Sequence, residues 1–168
     1  GNHNDTVGPN NADATVAIGT YAGQNTQGTG AVAVGELAGY CGQGLRSVAV
    51  GPNAGQTTQG SNSVAIGNSA ARYSQGNSSV AMGISAGNTA QGDVSVAIGS
   101  QAGQNTQGGN SVAMGNQAGN TNQGSSSIAI GTSAGNTSQG VNCIAMGQTA
   151  GRYSQGSNSV AIGNSAGK

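Results

Sequence analysis

The sequence predicts an all-β chain, a parallel β-solenoid or β-roll of about ten 16-residue rungs with two short strands per rung. Three observations predict it. A unit of the form S-V-A-I-G-x-x-A-G-x-x-x-Q-G-x-x recurs every 16 residues from Thr15 onward, without insertion or deletion. The pentad S-V-A-I-G alternates polar, apolar, small and apolar, which is the period of a strand. Glycine returns at fixed places, where a coil has to turn.

Units begin at Thr15, Ala31, Ser47, Ser63, Ser79, Ser95, Ser111, Ser127, Cys143 and Ser159. Residues 15–168 therefore hold nine full repeats and one truncated repeat, after an irregular segment or partial rung at 1–14. If each unit makes one turn, equal positions stack along the axis, and each rung meets the same steric problem with the same answer. Position 5 is always Gly and position 8 always Ala, and Gln at position 13 is always followed by Gly.

The first strand is assigned to the pentad. Val and Ile at positions 2 and 4, with Met82, Met114 and Met146 among them, are expected to point inward as core fillers. Position 3 then points outward. It is occupied by Ala17, Ala33, Ala49, Ala65, Ala81, Ala97, Ala113, Ala129, Ala145 and Ala161, with no exception. A solvent-facing position would vary, so this column is expected to be a self-association face. Position 5 closes the strand, the A-G-x-x-x-Q segment supplies the second strand, and position 14 sits in the second corner. Gln27, Gln43, Gln59, Gln75, Gln91, Gln107, Gln123, Gln139 and Gln155 are expected to form a structural amide ladder.

Composition agrees with a solenoid and not with an ordinary domain. There are 33 glycines, no Trp and no Phe, and charged residues are only 5%. Burying one Val or Ile contributes about 1.5–3 kcal/mol. Ordering each backbone residue costs about 1–2 kcal/mol. A single unit is thus unstable, and several must stack. A helix is excluded by the glycines and the lack of a 3.6-residue stripe. Collagen is excluded because Gly is not every third residue.

The motif Ser63-Val64-Ala65-Ile66-Gly67, preceded by Asn62 and followed by Asn68-Ser69-Ala70, resembles the head repeats of trimeric autotransporter adhesins, the YadA-like head. Similar repeats resemble parts of viral and phage fibres. The resemblance spans residues 15–168 and implies a left-handed parallel β-roll, three of which associate around a threefold axis. It implies an extracellular place on a cell or virion surface. It also implies two kinds of partner: the chain itself, as a homotrimer or other homo-oligomer, and a host matrix protein or carbohydrate.

Residues for chemistry are scarce. The acids Asp5, Asp13, Glu36 and Asp93 never share a column, and His3 is the only histidine. No catalytic, cofactor-binding or metal-binding residue is assigned. Cys41 and Cys143 lie about six rungs apart, roughly 30 Å, too far for a disulfide. Net charge is zero with no basic run, so no nucleic-acid partner is expected. No apolar stretch suffices to enter a membrane directly. Asn4-Asp5-Thr6, Asn77-Ser78-Ser79 and Asn136-Thr137-Ser138 match the N-glycosylation pattern. Arg72-Tyr73 recurs as Arg152-Tyr153 in positions 10 and 11. These are either surface contacts for carbohydrate or protein, or solvated variation.

The expected function is a non-catalytic extracellular structural or adhesive fibre module, a self-associating rod presenting a repetitive surface. The alternatives are a filament subunit stacking end to end through unpaired strand edges, and an ice-binding β-solenoid. The latter would use ranks such as Thr57-Thr58 and Thr121-Asn122.

Overall fold

The structure is a computed structural model and describes residues 14–167. It is a parallel β-solenoid of about nine turns, with two short strands in each 16-residue rung. His3, Asp5, Asp13 and the Asn4-Asp5-Thr6 pattern lie outside the described residues.

One sheet has ten parallel strands, running in order from Val16–Ile18 to Val160–Ile162. These are positions 2–4 of each unit. The other has seven parallel strands, from Asn25–Gln27 to Thr121–Gln123, at positions 11–13. Single bridges Thr121↔Thr137↔Tyr153 carry that pairing two rungs further. Register is unshifted throughout: Val96 faces Val112, Ala97 faces Ala113 and Ile98 faces Met114. Gln91 likewise faces Gln107.

The expected inside and outside of the first strand are reversed. Ala17, Ala33, Ala49, Ala65, Ala81, Ala97, Ala113, Ala129, Ala145 and Ala161 are all buried, and eight of the ten are at 0% exposure. Ser at position 1, on the same face, is also buried from Ser47 to Ser127. The Val, Ile and Met side chains point outward and are half-buried to exposed, with Met82 at 38% and Ile162 at 64%. The Ala column is therefore the core and not a surface, and the methionines are not core fillers.

The reason is the thinness of the rung. A Cβ added at Gly39 would lie 3.3 Å from the Ala33 Cβ and 2.6 Å from the Gln43 Oε1. The interior has room for one methyl at position 3, the position 8 methyl, the Ser hydroxyl and one carboxamide. Two facing rows of Val and Ile would force the sheets apart and break the corners. The invariance of Ala does report a steric limit, but the limit is the chain's own interior.

The corners depend on backbone that most residues avoid. Left-handed φ recurs at positions 7, 12 and 16, as at Ser85 (φ 54), Ala90 (φ 54) and Val94 (φ 53). Position 5 needs glycine twice over. Gly51 has φ +122, and a Cβ there would meet the Gly67 oxygen at 2.8 Å. Position 14 departs from the expected reason. Its glycines are not at positive φ, and they are required because the next rung passes too close. A Cβ on Gly44 would meet the Gly60 carbonyl carbon and the Ser61 nitrogen, both at 2.5 Å.

Candidate interaction faces

The interior is closed by three polar devices. Each position 13 Gln reaches across its own rung, donating Nε2 to the carbonyl oxygen of position 2. Gln43 reaches Val32 at 2.8 Å, Gln107 reaches Val96 at 2.8 Å and Gln155 reaches Ile144 at 3.0 Å. Gln27, Gln59, Gln75, Gln91, Gln123 and Gln139 do the same. The column is stacked in register, as a ladder requires. Its main bond, however, is a strut between sheets. Amide-to-amide links along the axis are long, 3.3 Å from Gln75 to Gln91 and 3.4 Å from Gln139 to Gln155. The Oε1 atoms of Gln43, Gln59, Gln75, Gln107, Gln123 and Gln139 are buried with no hydrogen-bond partner.

Position 1 hydroxyls close the second corner. Ser63 donates to the Gly76 carbonyl at 2.7 Å and Ser79 to that of Gly92 at 2.8 Å. Cys143 takes the same place, buried, with its thiol 2.9 Å from the Gly156 carbonyl. Cys41 is exposed on the other sheet. Position 15 supplies the third device. Asn77 Oδ1 accepts from the Ser61 amide at 3.0 Å, and Asp93 Oδ1 from the Asn77 amide at 2.7 Å.

These devices leave two distinct outer faces. The first sheet presents positions 2 and 4 as a double row of Val, Ile and Met, repeated on ten rungs. At about 4.8 Å per rung the row is roughly 45 Å long. A row this continuous and apolar is more than the scattered single hydrophobics of ordinary surfaces. Sequence reasoning missed it, because the alternation defines two faces without saying which is inside.

The second sheet presents positions 10–12, which are polar and internally tied. Thr121 and Thr137 donate their hydroxyls to Asn120 and Asn136, each at 3.0 Å. The Asn120 and Asn136 amides donate to the Gln101 and Gln117 carbonyls at 2.9 and 3.0 Å. Arg72 and Tyr73 meet here, with the guanidinium carbon 4.9 Å from the ring centroid. Arg152 and Tyr153 repeat the pair at 5.0 Å. Both rings are exposed, at 41% and 54%. Arg72 Nε donates to Gln56 Oε1 at 2.7 Å. The equivalent residue below Arg152 is the shorter Asn136, and Arg152 Nε is left without a partner. Thus the structure brings each Arg to its Tyr and keeps the two pairs five rungs apart.

Among the described residues, no group of three or more His, Cys, Asp or Glu side chains could hold a metal ion. No helix among them is long and apolar enough to cross a membrane.

A family model described as the YadA head domain repeat matches the chain twice, at residues 43–70 and 153–166. No curated protein and no solved structure gives a significant match. The first match contains the Ser63–Ala70 segment, and the second ends at Ala166 in the corresponding segment of the last unit. Over these two stretches the chain is similar to the YadA head repeat, and the parallel two-stranded rung agrees with that likeness.

Proposed function

We propose that the chain is a non-catalytic, adhesin-type fibre module on an extracellular surface, and that it works as a self-associated rod. The observation that carries this reading is the outward double row of positions 2 and 4. Val80, Met82, Val96 and Ile98 form part of it, and it recurs on every rung. Burying such a row against copies of itself gains about 25 cal/mol for each Å² removed from water. A repeat in perfect register can meet an identical repeat without mismatch, so homo-oligomers with a shared axis satisfy all rungs at once. The family match supports three copies as the number and the cell surface as the place.

Self-association thus belongs to the Val, Ile and Met columns and not to the Ala column. Light scattering on the purified chain tests it, with a mass of three protomers expected. Replacing Val80, Val96, Ile98 and Val112 by Thr keeps β-branched shapes on the strand while removing apolar contact. That variant is expected to run as a folded monomer. A monomeric parent chain would overturn the reading.

A further inference from the structure

We infer that the polar face at positions 10–12 binds an extended anionic polysaccharide, with Arg72–Tyr73 and Arg152–Tyr153 as two stations for it. Three observations converge. First, the two pairs have the same geometry, a guanidinium over a ring at 4.9 and 5.0 Å, in the same column. An exposed ring offers a flat apolar face to the C–H side of a sugar, and a guanidinium beside it offers paired donors to a carboxylate or sulfate. Second, Arg72 and Arg152 are the only charged residues on that face among the described residues. Glu36 and Asp93 stand at positions 6 and 15, on the corners. The face is purely cationic, so it favours an anion.

Third, three of the rungs between the stations hold their threonines as acceptors. The Thr89, Thr121 and Thr137 hydroxyls donate to Asn88, Asn120 and Asn136 Oδ1, and each of these Asn amides gives a hydrogen to a backbone carbonyl, of Ser69, Gln101 and Gln117 in turn. The threonine lone pairs stand beside the exposed side chains of Asn105, Thr106, Asn122 and Ser138, a mixed polar rank suited to the hydroxyls of a sugar chain.

Spacing sets the ligand. Five rungs put the stations about 24 Å apart. One positive charge in that length matches a polymer whose anions are widely spaced. It matches poorly the dense charge of a nucleic-acid backbone. A chain long enough to reach both stations gains from effective concentration, and a short one does not.

This deepens the adhesive reading by naming a ligand class, and it stands on the sheet opposite the self-association face. The test uses hyaluronan as the carboxylated probe, in a long fragment and a tetrasaccharide, against neutral dextran and poly(dT). Binding is measured by calorimetry on the full chain. The long fragment is expected to bind about tenfold or more tighter than the tetrasaccharide, and dextran and poly(dT) to bind more weakly than either. The paired replacement R72Q with Y73T rebuilds that station as an ordinary rung, since Gln56-Thr57 occupies the same positions. It is expected to reduce the long fragment to the affinity of the short one. Adding R152N with Y153T, after Asn136-Thr137, is expected to abolish binding. Equal affinity for long and short fragments, binding unchanged by the replacements, or preferential binding of poly(dT) or dextran would overturn the proposal. Light scattering on the same samples reads self-association separately.

Discussion

Gln107 Nε2 donates to the Val96 carbonyl oxygen at 2.8 Å, across the width of a single rung. The Gln107 Oε1 beside it is buried and unpartnered, packed where a Cβ on Gly103 would lie 2.6 Å away. One carboxamide thus fixes both the spacing of the sheets and the residue four places before it.

Gln107→Ala removes that strut and leaves a hole. The expected loss is about 2–4 kcal/mol, from a buried hydrogen bond and a cavity together. Because each rung contacts only its neighbours, the damage is expected to be local. Hydrogen exchange read by mass spectrometry should show faster exchange in the rungs around 95–124. Rungs near 33–59 should keep their protection.

The buried Ala column makes a prediction opposite to the one its small size invites. Ala97→Val adds volume to a filled interior and is expected to destabilise by about 1–3 kcal/mol in urea unfolding. Were position 3 on the surface, a β-branched residue in a strand would be neutral or better.

Position 14 is limited by the neighbouring rung. Gly44→Ala drives a Cβ into the Gly60 carbonyl carbon at 2.5 Å. The replacement is expected to cost about 3 kcal/mol, read as a lowered Tm in a thermal melt.

A stabilising change is expected at Val141. Position 15 side chains accept from the amide one rung before, as Asn77 does from Ser61 at 3.0 Å. Val141 has no acceptor to offer Ser125 in this way. Val141→Asn supplies one and is expected to add about 0.5–1.5 kcal/mol, visible as a raised Tm.

Backbone strain gives another. Val94 holds φ 53, a left-handed conformation that a β-branched residue tolerates badly. Val94→Asn, the residue at the same position in Asn110 and Asn142, is expected to stabilise by about 1 kcal/mol in the same unfolding assay.

Much of this was legible in the sequence because the period is unbroken. Ten pentads at one spacing define the rung, the parallel sheet and the register between Ala97 and Ala113. Orientation was not legible. A period of two is unchanged when inside and outside are exchanged, and the larger apolar side chains argued for the wrong face. Only the distance across the rung decides it, and that distance follows from corners whose left-handed residues at positions 7, 12 and 16 carry a weak signal. Gln, Ser and Asn at those places hint at it, but Leu37 and Val94 conceal it. The Gln column was legible as structure, yet its direction was not. Stacking suggested bonds along the axis, while the shorter bonds run across it. Nothing in the sequence showed that each Arg would lie over its own Tyr, since adjacent residues on a strand ordinarily face opposite ways.

The constancy of the 16-residue period has a consequence for how such a rod can change. Excising residues 79–94 would join Ser78 to Ser95 and bring Ala65 opposite Ala97, with every stacked column still matched. Duplicating the same stretch would do likewise. The length of the rod is therefore a copy number, adjustable by whole units with no redesign of the seam, and an insertion of any other size would be felt at the one corner that received it.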